Sequence, residues 1–156
     1  MGRIVELLTV NLAVGNLDAA LGKYRAMGLT PLPPSHMPEP PAEITDITLP
    51  IGSEGAVSLI AATGDGSPVK RFIDKRGEGA YSIAVRVDSL AEVMEEWSRA
   101  GLEWVLAEPY EFPAGNPAAR YVPGGLKVNW VKPSSLHGVM LECFEFIGEI
   151  KEHQPE

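Results

Sequence analysis

The sequence has little of several features that would assign a functional class directly. Cys143 is the only cysteine among 156 residues, which excludes an internal disulfide and any Cys-x-x-Cys metal motif. No apolar run approaches the roughly 20 residues that a membrane-spanning helix needs. The opening residues, MGRIVELLTVNLAV, include the acidic Glu6 and no small-residue cleavage site, so we predict a strand there and not a signal peptide. We therefore expect a cytoplasmic protein without a membrane segment.

Basic residues are also scarce. Lys and Arg total 13 against 21 Asp and Glu, which gives a formal net charge of −8. A nucleic-acid-binding protein needs a basic face, so we expect no nucleic-acid partner, although a few local cations would suffice for a small anionic ligand. With 45% hydrophobic and 22% charged residues, the chain has the composition of a folded globular domain or of two small fused modules.

One strand–helix pattern occurs twice. Residues 82–87 are rich in β-branched side chains and predict a strand, and Asp88 or Ser89 can cap the helix that follows. Gly101 suits the left-handed position that ends many helices. Residues 9–29 repeat the pattern at an offset of about 73 residues by our count, and a repeat of this length indicates two copies of one supersecondary unit. The offset places Thr9 on Ser82, Leu17 on Leu90, Tyr24 on Trp97 and Gly28 on Gly101.

The remaining pattern completes two similar halves. We predict strands over residues 4–14, 43–51, 56–62, 103–111, 120–132 and 139–146, and a short helix within 64–79. Residues 30–41 hold six prolines, which excludes a central strand and leaves an irregular edge, a flap over a pocket or, more simply, a stiff surface loop.

The fold prediction follows from this order. Each half reads β-α-β-β-β, so the predicted class is α+β, with two βαβββ modules forming a curved mixed sheet around a cleft. The first module is expected over 1–64, a linker helix over 65–79, the second module over 80–148 and a tail over 149–156, all within one compact domain.

Three motifs carry a resemblance to a known family. They are LAVGNLDAALGKYRAMGL, the linker with its KRGEG, and the closing LKVNWVKPSSLHGVMLE. Together they resemble the vicinal oxygen chelate (glyoxalase/bleomycin-resistance) superfamily, and within it the methylmalonyl-CoA epimerases. The resemblance covers nearly the whole chain. It implies the fold predicted above, a small-molecule ligand such as a CoA thioester, and a homodimer.

The resemblance also implies a metal site, from which this sequence departs. Members hold a divalent metal with two His, a Gln or Glu, and a Glu, one from each of four strands. The matching positions here are Thr9, Ser58, Ser82 and Glu142, so only the last ligand is kept. Three hydroxyls and one carboxylate make a poor divalent site, because transition metals prefer imidazole, thiolate or carboxylate ligands. We therefore predict neither a metal nor another cofactor.

Three functions follow from these residues. In the first, a metal-independent isomerase or lyase moves a proton on an acyl-CoA or similar carbonyl compound. Glu142 acts as acid or base with a pKa raised by desolvation, and the three hydroxyls of Thr9, Ser58 and Ser82 bind the carbonyl oxygen. In the second, the protein binds or sequesters a small molecule without catalysis, as in the bleomycin-resistance branch, and Glu142 is an inert relic. The third is a metal-dependent epimerase or lyase with an atypical site.

Other residues are weaker candidates. Arg86 and Lys127 could hold a ligand anion, although surface cations are the simpler interpretation. Glu43 and Asp46 lie near the position of the family's acid–base carboxylate, but a solvated strand edge explains them as well. The remaining candidates are aromatic residues that could line a cleft or pack in the core, namely Trp104, Trp130 and Phe112.

Overall fold

The computed structural model describes residues 1–116, 119 and 122–148. Its elements alternate as predicted and confirm the α+β class with the order β-α-β-β-β in each half. They are β1 (Ile4–Ala13), α1 (Leu17–Ala26), β2 (Ser35–Met37), β3 (Ile44–Ile51), β4 (Gly55–Ala62), α2 (Pro68–Arg76), β5 (Gly79–Val87), α3 (Leu90–Arg99), β6 (Tyr110–Pro113), β7 (Gly125–Val131) and β8 (Leu141–Phe146).

The chain divides into two compact units. The first unit is Leu8–Ile83, and the second unit combines Met1–Leu7 with the chain from Ala84 onward. Strands β1 and β5 therefore contribute residues to both units. The predicted tail over 149–156 lies outside the described residues.

The first unit contains the strand order β2-β3-β4-β1-β5. Strand β4 pairs antiparallel with β3 and parallel with β1. One face of these strands packs against α1, because alternate strand residues point to the same side and meet the apolar stripe of the helix. The buried cluster on this side comprises Val14, Leu21, Ile47, Leu49, Leu59 and Ala61.

Helix α2 is the short helix predicted between the halves. It begins at Pro68, whose missing N–H costs nothing in the first turn, and the Ser67 side chain accepts a hydrogen bond from the backbone N–H of Val69. Val69 is 2% exposed and packs with Ala13 and Ile60. The helix is thereby fixed to the β1 and β4 strands.

The second unit contains the strand order β5-β8-β7-β6. Helix α3 lies on one face, where Glu145 of β8 accepts a hydrogen bond from the backbone N–H of Leu90, the first residue of that helix. The opposite face carries an apolar cluster that includes Leu126 and Val128.

The helix ends confirm the repeat seen in the sequence. Asn16 caps α1 by accepting from the Ala19 N–H, and Ser89, its equivalent at the repeat offset, caps α3. Gly28 and Gly101 follow the two helices with φ values of 88° and 93°, a region that favours glycine. Each exit also has a backbone hydrogen bond that closes the last turn, from Leu29 to Tyr24 and from Leu102 to Trp97.

The predicted strand over 103–111 is wrong. Only Trp104 forms a bridge, to Val131, and the regular strand β6 begins at Tyr110. The cause is the buried amide of Asn129 on β7, which accepts from the Leu106 N–H and donates to the Leu106 carbonyl. A side chain thus satisfies the backbone groups that a neighbouring strand would otherwise have paired. The strand predicted over 120–132 begins at Gly125, and positions 120 and 121 lie outside the described residues.

The proline-rich segment supplies an edge strand. Strand β2 lies at the end of the strand order and pairs antiparallel with β3, with Ser35 opposite Asp46. This placement agrees with the rule that proline-rich chain is tolerated at a sheet edge.

Among the described residues no helix is long and apolar enough to cross a membrane.

Candidate functional site

A polar face lies on the side of the first unit's strands opposite to α1. Asn11 of β1 and Ser58 of β4 are direct register partners, and they are only 5% and 3% exposed. Thr9 shares this face because it lies two residues from Asn11 on the same strand. Ser82 of β5, 4% exposed, is hydrogen-bonded to Asn11 and completes the face. The structure therefore brings three predicted residues together, namely Thr9, Ser58 and Ser82.

A chain of two hydrogen bonds crosses this polar face. The Thr9 hydroxyl donates to Asn11 Oδ1 at 2.7 Å, and Asn11 Nδ2 donates to Ser82 Oγ at 2.8 Å. Sequence reasoning missed Asn11. Asparagine is depleted in strands, so an Asn two residues from a candidate position in a buried strand was a usable signal. Its partner on β5 could not be inferred, because the two residues are 71 positions apart.

Asp46 supplies the carboxylate of the polar face. The Ser58 hydroxyl donates to Asp46 Oδ2 at 3.4 Å. Asp46 lies directly opposite Ile60, which shares a face with Ser58 two residues earlier on β4. It is half-buried, so the solvated-edge interpretation of Asp46 does not hold.

Glu43, the other carboxylate considered near this position, lies elsewhere. Its side chain packs against the backbone of Gly64 and Gly66, where an added Cβ at either glycine would overlap its carboxylate. The contact joins the start of β3 to the loop before α2. We assign Glu43 this structural contact and leave it out of the candidate site.

Glu142 belongs to the second unit. It lies opposite Trp130 in the β7–β8 pair and shares its face with Phe144 and Phe146. This face points away from α3, because Glu145 on the alternate face contacts the first residue of that helix. Glu142 is half-buried. Its neighbours on this face are mostly aromatic, so its carboxylate lies on a largely aromatic surface.

The two candidate anion contacts occupy opposite faces of the second unit. The Arg86 side chain forms an ion pair with Glu6 at 2.7 Å, and its guanidinium lies 5.6 Å from the centre of the Phe146 ring. Lys127 lies opposite Glu145, on the α3 side of the strands. Arg86 therefore shares the aromatic face of Glu142, and Lys127 does not.

The three aromatic candidates also lie on different faces of the second unit's strands. Trp104 stacks on Trp97 of α3, with ring centres 5.8 Å apart, and packs on the helix side. Trp130 and Phe112 pack in the apolar cluster on the opposite face.

Next to Glu142, Cys143 is fully buried on the α3 side. Burial and the nearby Glu142 charge raise the pKa of its thiol to about 12. A thiol with this pKa stays protonated at neutral pH and is no nucleophile.

The groups on the polar face, where the resemblance implies metal ligands, do not fit a divalent metal. On the polar face, the Thr9 and Ser58 hydroxyl protons are directed to Asn11 and Asp46, and an amide N–H is directed at the Ser82 oxygen. Neutral hydroxyls with an N–H donor among them are not the ligands that transition metals prefer. In the part of the chain that the structure describes, no three His, Cys, Asp or Glu residues are grouped as a metal site would require.

Three solved structures show the same fold over nearly the whole chain. Methylmalonyl-CoA epimerase from Mycobacterium tuberculosis is 24% identical, with a TM-score of 0.77 and coverage of 93% of this chain and 90% of that one. A hypothetical protein from Bacillus halodurans C-125 is 26% identical, with a TM-score of 0.77 and coverage of 97% and 99%. A Streptomyces coelicolor methylmalonyl-CoA epimerase variant in complex with 2-nitronate-propionyl-CoA is 20% identical, with a TM-score of 0.77 and coverage of 94% and 100%.

The family comparison uses the sequence directly. No curated protein matches the chain significantly. The model of the glyoxalase/bleomycin resistance protein/dioxygenase superfamily matches residues 9–119, which run from the second half of β1 through β6 and include the four polar-face residues on β1, β4 and β5. The chain therefore belongs to the glyoxalase/bleomycin resistance protein/dioxygenase superfamily, the vicinal oxygen chelate superfamily that the sequence resembles.

Proposed function

We propose that this protein is a metal-independent enzyme of the superfamily that moves a proton at the carbon next to the carbonyl of an acyl-CoA or a similar compound. The observation that carries the proposal is the Asp46 carboxylate beside the Ser58 hydroxyl, on the same face as Thr9, Asn11 and Ser82. A base and several hydrogen-bond donors on one buried surface are the two components that enolisation requires.

The reaction uses the chain's own residues. Asp46 takes the α-proton of the thioester, and the electron pair of the broken C–H bond moves to the carbonyl oxygen, which becomes an enolate. A hydroxyl of the polar face donates a hydrogen bond to that oxygen and stabilises its developing charge. Return of a proton to the carbon restores the thioester. The configuration is inverted if the proton reaches the opposite face of the carbon.

Glu142 is the second candidate for acid–base work, in the role assigned to it from the sequence. Its placement beside Phe144 and Phe146 puts a carboxylate on a largely aromatic surface. Variants of the two residues separate their roles.

Metal independence is supported by the hydrogen-bond directions on the polar face. Ser82 accepts an N–H from Asn11, and its neighbours direct their own protons to other groups. Hydroxyl donors of this kind can bind an oxyanion directly, which is the task that the resemblance otherwise assigns to a metal.

The substrate class rests on similarity. A Streptomyces coelicolor relative of the same fold forms a complex with 2-nitronate-propionyl-CoA, which supports a CoA thioester here. The resemblance supports a homodimer, which light scattering of the purified protein tests directly. A cytoplasmic location remains a prediction from the sequence.

Solvent isotope exchange tests the proposed function. The full-length protein is treated with a chelator and incubated with propionyl-CoA in D2O, and deuterium at the α-carbon is measured by mass spectrometry. We expect exchange to persist with the chelator present. Asp46→Asn should slow it by about 100-fold or more, the usual cost of removing a catalytic base. Asp74→Asn is the matched control, because Asp74 is paired with Lys70 at an exposed position on α2.

Each other outcome contradicts part of the proposal. If the wild-type protein binds propionyl-CoA without exchange, the protein is a binding protein. If exchange appears only after a divalent metal is added, the enzyme is metal-dependent. If Glu142→Gln abolishes exchange and Asp46→Asn does not, Glu142 is the base.

A further inference from the structure

The three hydroxyls of the polar face differ in where their protons point. Thr9 donates its proton to Asn11 Oδ1, and Ser58 donates its proton to Asp46 Oδ2. Ser82 instead receives an N–H from Asn11 Nδ2. Among the hydrogen bonds of the described residues, none takes the Ser82 proton to a protein acceptor. Of the three hydroxyls, Ser82 is therefore the one whose proton is directed to no other group in the described part of the chain.

Asn11 imposes this direction by its chemistry. An amide oxygen only accepts and an amide nitrogen only donates, so the hydrogen-bond chain has one polarity from Thr9 through Asn11 to Ser82. With its oxygen accepting the Asn11 N–H, the Ser82 hydroxyl keeps its own proton for a further partner. Asn11 is 5% exposed, so water does not compete freely for its two hydrogen bonds.

We infer that Asn11 is a positioning residue that commits Ser82 to donate a hydrogen bond to the bound ligand. The site consequently favours a ligand oxygen that accepts a hydrogen bond, such as that of a thioester carbonyl, an enolate or a carboxylate. This inference deepens the proposed function and rests on it, because the proposed function places the ligand on this face. Asn11 thus gives the metal-free site a donor that strengthens as charge develops on the oxygen.

Burial makes the choice of ligand strict. Ser82 is 4% exposed, so a ligand oxygen that reaches it leaves most of its water behind. An ammonium group, which only donates, would leave the Ser82 proton without an acceptor. Buried groups without partners cost more than the net gain from a hydrogen bond, which is why such sites discriminate well.

The first arm of the test needs no ligand. In the 15N-labelled protein, the Asn11 side-chain N–H signals are assigned by their absence from Asn11→Leu. We expect one Asn11 amide proton to be shifted downfield by its bond to Ser82 and to move upfield in Ser82→Ala. Thr9→Val should leave it nearly in place, because Thr9 contacts the amide oxygen. A proton that responds to Thr9→Val and not to Ser82→Ala would overturn the inferred direction.

The second arm measures the ligand hydrogen bond. Propionyl-CoA labelled with 13C at its carbonyl is bound to the chelator-treated protein, and its C=O stretch is measured by difference infrared spectroscopy. We expect a shift to lower frequency that is lost in both Ser82→Ala and Asn11→Asp and kept in Thr9→Val. The carboxylate introduced by Asn11→Asp would accept from both hydroxyls and so withdraw the Ser82 proton from the ligand. Asn16→Asp adds the same charge at an exposed helix cap and is the control.

A double variant separates positioning from a general structural role. If Asn11 acts through Ser82, adding Asn11→Asp to Ser82→Ala should change propionyl-CoA affinity by less than about 3-fold beyond Ser82→Ala alone. Fully additive losses would overturn the inference while the proposed function stands. If the wild type does not bind propionyl-CoA, the proposed substrate and the ligand part of the inference are contradicted. The chemical shift of the Asn11 amide proton would still show the direction of the hydrogen bond between Asn11 and Ser82.

Discussion

Asn11 and Ser82 lie 71 positions apart in the sequence and are joined by a hydrogen bond of 2.8 Å on a buried face. The bond connects β1 to β5 at the position where relatives in the superfamily are expected to place a metal ligand. In the proposed function, the amide and hydroxyl at this position supply directed hydrogen bonds where the resemblance implies a cation.

The buried amide of Asn129 gives a first prediction, for stability. Asn129 is 0% exposed and donates to the Leu106 carbonyl while accepting from the Leu106 N–H. Asn129→Asp removes the donor and buries a charge, so we expect a loss of about 3 kcal/mol or more in the free energy of unfolding, measured with urea. Asn16→Asp is the matched control, because its helix cap uses only the acceptor oxygen. Equal effects of the two changes would contradict this assignment.

The second prediction concerns two glycines whose replacement by alanine should change the free energy of unfolding in opposite directions. A Cβ at Gly124 would overlap the backbone carbonyl of Ile147, so Gly124→Ala should lower the free energy of unfolding by about 2 kcal/mol or more. Gly22 is exposed within α1 and has no atom near its Cβ position, so Gly22→Ala should raise it by about 0.5–1 kcal/mol. Thermal and urea unfolding of both variants measure the difference. If Gly124→Ala leaves the free energy of unfolding unchanged, the close approach of the Gly124 and Ile147 backbones is not required for stability.

Cys143 gives a third prediction, for pH dependence. Burial and the Glu142 charge raise the pKa of its thiol from 9.0 to about 12. Below pH 9 the thiol is protonated in both states. Between about pH 9 and 12 only the unfolded state releases the proton, so the free energy of unfolding falls with rising pH, by up to about 1.4 kcal/mol per unit. Relative to Cys143→Ala, the wild type should therefore lose stability more steeply above pH 9. Parallel curves would contradict the raised pKa.

The locally determined features were predictable from the sequence. The cap at Ser89 and the glycine exits at Gly28 and Gly101 depend on residues within a few positions, and all three are confirmed. The order β-α-β-β-β followed from the same local patterns together with the repeat.

The features that depend on cross-strand partners were not predictable in this way. The strand predicted over 103–111 becomes regular only from Tyr110, because Asn129, 23 residues after Leu106, pairs with the Leu106 backbone. Asn11 and Asp46 were missed or discounted because their importance comes from Ser82 on β5 and Ser58 on β4. Local pattern identified the hydroxyl positions, while the direction of their hydrogen bonds required the three-dimensional register.

The metal content of the purified protein distinguishes a metal-free site from a metal centre. The full-length protein is analysed by mass spectrometry for bound metals and then titrated with Co2+ and Mn2+ by calorimetry. A metal-free hydrogen-bonding site predicts far less than one equivalent of metal and no saturable binding to the polar face of Thr9, Asn11, Ser58 and Ser82. Close to one equivalent of tightly bound metal, lost in Glu142→Gln, would contradict the account and support a metal-dependent epimerase or lyase.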